Sequence, residues 1–517
     1  LASEPSTAVL RTIGETYHSG GYPRLAVVEM PAERAATLTG QPGLYVEPDQ
    51  PLTRGLSVEA RGNGSLMGEL RTITFHVLDD GDRPIEGAAI TLQGTAFTAF
   101  TAADGRAEMR LPIEVLHDAA AMIVTPPRGC WPTRVNRPRL TSDGPNVAVC
   151  TRITTTNPEF PDRPIDSWGT RVMGFDRLPP THRGHAVRVA LIDSGAAAGH
   201  PDLADRIPGG RDVIRQDDKT WQDDLVGTGT HHAVLIAGRD DGTGVVGLAP
   251  ETEVHICRVA PEGWTADLIE ALDYCIDQQV DVAMITYGSA APSSLLDAKI
   301  DEARRNGIAC IAAAGDSGGL ISYPAALPGV LTVGALGQLG TFPLDSADVG
   351  QVTGLPTPEG FFVPHFSNTG PELDCVAPGV AVVSGLPPTS YGPAWGTGVA
   401  AAHVVAVAAL VLGHHPMFRP EPGRAPASRD STRVDRLFQV IRASCRPLPQ
   451  LGAFQTGSGL PDAAVAVGVA PWGTHATLSA PYGTVTGLVT REEQTEALLA
   501  PLDAAVRAAG LVEHARG

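Results

Sequence analysis

Lysine is almost missing from this 517-residue chain: only Lys219 and Lys299 occur, and arginine carries nearly all of the positive charge. Against 57 Asp and Glu the chain sets 38 Lys and Arg, for a formal net charge of −19. Such a balance lacks the basic patch that phosphate-backbone binding requires, so no nucleic-acid partner is expected. No run of 18 apolar residues is apparent, so no membrane span is expected either. The first residue is Leu rather than Met, and no charged-then-apolar signal segment follows. The seven cysteines are odd in number and sit mostly in apolar runs such as Ile308-Ala309-Cys310-Ile311. That pattern reads as small core residues in a reducing compartment and favours the cytoplasm. Cys130 and Cys150 flank one small domain and are the candidate pair for a disulfide. Neither C-x-x-C nor H-E-x-x-H occurs, so no metal or other cofactor is expected. His414-His415 stands next to a Pro-rich stretch and reads as solvated rather than ligating. Richness in Ala, Gly and Pro, with Arg in place of Lys, points to a high-GC bacterial genome.

Several short blocks do carry chemistry. Val187-Arg188-Val189-Ala190-Leu191-Ile192-Asp193 is an apolar run ending at an acid, followed by Gly199-His200-Pro201-Asp202-Leu203. A buried parallel strand that ends in a functional carboxylate is what an α/β sheet places at its carboxyl edge. Gly227-Thr228-Gly229-Thr230-His231-His232-Ala233 comes next, then Ile311-Ala312-Ala313-Ala314-Gly315-Asp316-Ser317, then Trp395-Gly396-Thr397-Gly398-Val399-Ala400-Ala401-Ala402-His403-Val404.

In this order the blocks resemble the landmarks of the subtilase (subtilisin-like, S8) family of serine proteases. That family reads Gly-His-Gly-Thr-His-x-Ala at the second block, Ala-Ala-Gly-Asn at the third, and Gly-Thr-Ser-Met-Ala-x-Pro-His-Val at the last. The resemblance sets Asp193 in the triad aspartate's place, Thr228 on the general-base histidine, Asp316 on the oxyanion-hole asparagine and Gly398 on the nucleophilic serine. Val246-Gly247-Leu248-Ala249-Pro250, Phe366-Ser367-Asn368-Thr369-Gly370, Val376-Ala377-Pro378-Gly379 and Gly457-Ser458-Gly459-Leu460-Pro461-Asp462 agree with it. The likeness runs over roughly residues 165–470 and implies a three-layer α/β domain with a mainly parallel sheet.

The residues at the catalytic positions are wrong for proteolysis. Glycine has no side chain with which to attack a carbonyl. A threonine hydroxyl does not titrate near neutral pH and is no general base. A carboxylate at 316 would repel the oxyanion of acyl transfer. His231 and His232 lie three and four residues past Thr228, one helical turn along, but a histidine at the His231 position has a structural role in the family, and neither is expected to act as base. Thr397 and Ser317 read as backbone-bonding hydroxyls. With no imidazole at 228, the Thr228 hydroxyl is expected to donate to Asp193.

The rest of the chain suggests further units. Residues 1–20 read as a mobile arm. Residues 21–55 carry a strand at Arg24–Met30, a helix at Pro31–Leu38 and a strand at Gly43–Asp49. They resemble the second half of a subtilase inhibitory propeptide, with an unrelated β-α-β lobe as the alternative. Residues 70–150 alternate in the strand manner, with a hairpin at Thr101–Ala107, and resemble a small β-sandwich of the carboxypeptidase-regulatory kind. Residues 151–184, rich in proline, read as a linker, 185–470 as the subtilisin-like domain, 416–432 as a surface insertion within it, and 471–517 as an extension with an amphipathic helix at about 492–509. Thr286, Tyr287, Gly288 and Ser289 stand where subtilases carry a substrate-lining strand and are the predicted peptide-binding residues.

The expectation is therefore a pseudoprotease that binds a peptide or a partner protein, an active subtilase being one candidate. One alternative is an active serine endopeptidase that uses displaced residues or residues from another chain. Another is a structural module whose function lies in the first 150 residues.

Overall fold

The computed structural model describes residues 8–13, 25–54, 69–419 and 428–473, apart from 40, 43, 114, 116–118 and 166. The helix read at 492–509 and the middle of the insertion read at 416–432 lie outside the described residues.

The first strand begins earlier than the sequence suggests. β1 (Ala8–Ile13) falls in the stretch read as an arm, yet it pairs antiparallel with β2 (Leu25–Glu29), and α1 (Ala32–Thr39) follows. Ile13, Leu25 and Val27 pack into a core of the large domain, and Arg11 donates to the Val213 carbonyl at 3.0 Å and pairs with Asp267. An isolated six-residue strand with mixed polarity gives little signal by itself; the surface it lands on holds it. The expected third strand at 43–49 belongs to no ladder. From Glu47 onward the chain instead runs along the large domain.

Seven strands follow. β3 (Leu70–Asp79), β6 (Arg106–Pro112) and β9 (Asn146–Cys150) form one sheet in the order β6-β3-β9. β4 (Ala89–Leu92), β5 (Thr98–Phe100), β7 (Ala121–Thr125) and β8 (Thr133–Asn136) form a second in the order β5-β4-β7-β8. Ile73, Phe75, Val77, Ile90, Leu92, Leu111 and Val124 fill one core between them, as alternation along each strand requires. The turn at Thr101–Ala107 is not a hairpin within one sheet: β5 pairs with β4 and β6 with β3, so the chain crosses between sheets there. Cys130 and Cys150 are both buried and unpaired, as are the other five cysteines.

Residues 151–184 are not a linker. Ile153, Phe160, Trp168, Val172, Met173 and Phe175 enter the main hydrophobic core, with α2 (Trp168–Val172) against it. The prolines in this stretch masked a set of large apolar residues spaced without period, a pattern that gives no helix or strand signal.

The large domain is an eight-stranded sheet. β10 (Arg188–Asp193) lies at its centre, with the parallel strands β12 (Glu253–Arg258) on one side and β13 (Val282–Ile285) on the other. β11 (Gly210–Asp212) continues beyond β12; β14 (Ala309–Ala313) and β15 (Leu331–Gln338) continue beyond β13. β17 (Cys375–Pro378) adds parallel to β15, and only the short β16 (Phe361–Phe362) is antiparallel. Strand order reverses at β10, and in such sheets the crevice at the carboxyl end of the reversal is where ligands bind. Asp193 is the last residue of β10.

Four helices matter for that edge: α3 (Thr228–Ala237), α4 (Thr265–Asp277), α5 (Ser294–Arg305) and α6 (Thr397–His414). α6 bears on the reading of apolar runs. It is long and apolar enough to meet the length and hydropathy of a membrane span, yet 89% of that stretch is buried inside the fold, as in a core helix. One expectation is corrected at its end. His414 is not solvated: its Nε2 accepts from the backbone N–H groups of Arg183 and Gly184, both at 3.0 Å, and the ring stacks on His182. Burial and His182 push it down to about 4, so it stays neutral and can accept.

Candidate functional site

The carboxyl edge of the sheet brings Asp193, Thr228, Asp316 and Gly398 together, each from a different element. Asp193 is fully buried, and its carboxylate is saturated. Oδ1 accepts from the Thr228 hydroxyl at 2.6 Å and the Ser194 N–H at 2.7 Å. Oδ2 accepts from the Thr286 hydroxyl at 2.6 Å and from Nδ1 of His232 at 2.9 Å. The bond from Thr228 is the one expected from the sequence. The bond from His232 is not. Burial alone would raise Asp193, but His232 and the two hydroxyls hold it well below the usual carboxylate range.

His232 is four residues past Thr228 on α3, so it occupies the same face one turn further on. Its ring reaches back over Asp193 and meets the head of α6. A Cβ built on Gly398 would lie 2.9 Å from His232 Cε1 and 3.3 Å from Nε2. The imidazole therefore fills the space into which a side chain at 398 would project. The i+4 spacing in the sequence carries this signal, but only the approach of α3 to the head of α6 shows that the ring reaches. His231 points away: its Nε2 bonds the Val382 carbonyl at 2.9 Å, and burial pushes it down to about 3.

Asp316 lies just past β14, and its Oδ1 accepts from Thr397 twice, from N–H at 2.7 Å and from the hydroxyl at 2.8 Å. The Thr397 oxygen in turn accepts from the Gly315 N–H at 3.0 Å. Thr397 is thus committed to holding the loop, and Ser317 is committed to Asn368 at 2.8 Å. Burial raises Asp316, with Arg54 and Thr397 opposing the rise. Its Oδ2 stands 3.8 Å from the Arg54 guanidinium.

Arg54 arrives from the N-terminal lobe along an extended segment. Glu47 caps α5, accepting from the Ser294 N–H at 3.0 Å and bonding the Ser293 hydroxyl. Asp49 caps α4 through the Ala266 N–H at 3.0 Å. A carboxylate at a helix N-terminus meets unsatisfied N–H groups and the positive end of the dipole. Beyond Asp49, Leu52 N–H donates to the Gly263 carbonyl at 2.8 Å, and Thr53 and Gly288 exchange antiparallel bonds at 2.7 and 3.0 Å. The Arg54 carbonyl accepts from the Asp316 N–H at 3.3 Å.

The four predicted peptide-binding residues therefore divide. Gly288 pairs with an extended segment, supplied by the chain itself. Thr286 does not line the groove through its side chain; it holds Asp193. Tyr287 is largely buried, and Ser289 pairs with Tyr323 and bonds the Ala291 carbonyl at 2.9 Å. Among the described residues no cluster of three or more His, Cys, Asp or Glu is placed to hold a metal.

Strand order, the acid at the reversal and the helix heads facing it define a subtilisin-like α/β domain. Residues 184–436 match the model of the Subtilase family. Over 243 residues the chain is 33% identical to Subtilisin of Bacillus pumilus, covering 46% of this chain and 80% of that protein. It is 32% identical over 246 residues to the Major intracellular serine protease of Bacillus subtilis (strain 168), covering 45% of this chain and 70% of that protein. Subtilisin E of the same strain is 32% identical over 243 residues, of which the match spans 58% of the relative's length. The chain belongs to the subtilase family.

Proposed function

We propose that this subtilase homologue is a pseudoprotease: it has no proteolytic activity of its own and acts by binding an extended peptide or a partner protein, a second, active subtilase being one candidate. The observation that carries this reading is the head of α6, where Gly398 supplies no nucleophile and the His232 ring takes the space a side chain would need. Thr228 adds to it, being a hydroxyl already spent on Asp193, and so does Asp316, an acid where acyl transfer builds negative charge. The groove supports a binding role. Its strand edge already pairs with residues 51–54, which remain attached because no nucleophile is at hand to cut them. The direct test is mass spectrometry of long incubations with protein substrates, beside labelling with a serine-directed fluorophosphonate. Neither products nor label is expected. Cleavage that disappears in Asp193→Ala would sink the proposal.

One observation favours a second reading. Asp193 and His232 form an aspartate–imidazole pair whose Nε2 side faces Gly398. An endopeptidase completed by a hydroxyl from another chain would use that pair, and fluorophosphonate labelling that appears only when a partner is added would select it.

A further inference from the structure

The substitution at 316 reads differently once the groove's occupant is considered. Oδ1 of Asp316 is saturated by Thr397, whereas Oδ2 is directed at the guanidinium of Arg54. Gly396 keeps the two groups in reach of each other. A Cβ built there would lie 3.0 Å from Asp316 Oδ2 and 3.3 Å from Arg54 Nη2, wedging between them, and the backbone at φ 141° is one that glycine adopts readily. Two residues upstream, Leu52 is partly buried against the apolar cluster that includes Ala260, Leu268 and Tyr287. Thr53, between them, exchanges backbone bonds with Gly288, and such bonds read no side chain.

Resting on the reading of this cleft as a binding site, the geometry points to a groove specific for extended peptides of the pattern Leu-x-Arg, with Asp316 as the residue that selects arginine, and with residues 52–54 as its tethered resident ligand. A buried carboxylate facing a ligand without a cation is left unpaired, which is costly in a site shut off from water. An arginine at that place satisfies it. The family's asparagine position has thus become an acceptor for a cation. A tethered segment competes at an effective concentration on the order of millimolar, so a partner's Leu-x-Arg segment enters only when residues 49–54 are displaced.

The test uses the full chain carrying Thr53→Pro, which removes the N–H donated to Gly288 and loosens the resident segment. Fluorescein-labelled Asp-Gln-Pro-Leu-Thr-Arg and its analogue ending in Gln are titrated and followed by anisotropy. The arginine peptide should bind at least about tenfold tighter, and adding Asp316→Asn should bring the two within about twofold. Equal affinities, a preference that survives Asp316→Asn, or no binding of either peptide would overturn the proposal. A readout in the otherwise unaltered chain stands beside it should Thr53→Pro not fold. Trypsin cleavage after Arg54 should accelerate about tenfold in Asp316→Asn as the side chain is released, and an unchanged rate would count against the pairing. Cleavage of either peptide by the protein would instead refute the pseudoprotease reading while leaving the arginine preference to be judged on affinity.

Discussion

Asp193 and Asp316 stand at the same edge of one sheet, both buried, and the protein treats them in opposite ways. Asp193 accepts four bonds, from two hydroxyls, one backbone N–H and one imidazole, and is held as a carboxylate. Asp316 has Thr397 on one oxygen and a more distant arginine on the other, and burial prevails. Burial by itself decides little; what decides is how many donors the surrounding elements aim at the group. Asp193 takes an imidazole, His232, as a partner, while Asp316 takes a counter-ion from another part of the chain.

The widest separation of outcomes comes from placing His, Asn and Ser at 228, 316 and 398, where the family resemblance sets them. In subtilisin, loss of the serine or the histidine alone costs about 10⁶ in turnover. Thr228→His with Asp316→Asn and Gly398→Ser leaves two imidazoles competing for Asp193 and a serine pressed against His232. The same three changes with His232→Val clear the space. Peptide hydrolysis by the fourfold variant should exceed that of the threefold one by at least about a hundredfold, the low end of what a placed general base contributes. Equal rates would show that His232 is no obstacle.

Asp193→Ala should be the most destabilising single change at this edge. It leaves His232 and two hydroxyls without their buried acceptor, and breaking a buried pair typically costs about 3–5 kcal/mol; denaturant midpoints in the full chain measure it. Gly398→Ser is smaller. The new Cβ would lie 2.9 Å from His232 Cε1, so the imidazole must shift and a loss of about 1–3 kcal/mol is expected, and most of it should vanish when His232→Ala is present. Thr228→Val removes one bond to Asp193 and should cost about 1–2 kcal/mol by the same measurement.

The smallest effect separates the two acids by pH. The folded Asp193 is depressed, so the unfolded chain takes up its proton first as pH falls. Stability from Asp193 is full above the ordinary carboxylate range, near pH 4, and drains away below it. Asp316 is raised, so the folded chain takes up that proton first. Its charge opposes folding above its folded value, and the penalty disappears as pH falls through that value toward 4. Asp316→Asn keeps an oxygen for Thr397 and should therefore be more stable than the parent at pH 8, by up to about 1 kcal/mol, with the gap closing near pH 4. A gap that widens on acidification would reverse the assignment. Global stability thus rises in the variant expected to release Arg54 locally, and melting and proteolysis can tell these apart.

Much of the fold was legible because each landmark is local. The apolar run ending at Asp193, the run ending near Asp316 and the long small-residue stretch of α6 are continuous segments whose buried strands and helix need no distant information. Pairing Thr228 with Asp193 was legible too, since a threonine hydroxyl can donate to a carboxylate. What failed were segments whose structure is imposed by their neighbours. Residues 8–13 form a strand because Leu25–Glu29 and the large domain meet them. Residues 151–184 look like a linker until Trp168 and Phe175 are seen in the core.

The amino-acid sequence alone sets which atoms are on offer at positions 228, 316 and 398. A glycine at 398, a threonine at 228 and an acid at 316 are facts of composition, and no fold can add a nucleophile to Gly398. Tertiary structure decided who stands beside whom. It brought the ring of His232 onto Asp193 because α3 turns the i+4 residue toward the same sheet edge, and it closed the gap at Gly398 because α6 packs against α3. It also laid Arg54 against Asp316, a pairing between residues more than 250 positions apart that no local pattern encodes.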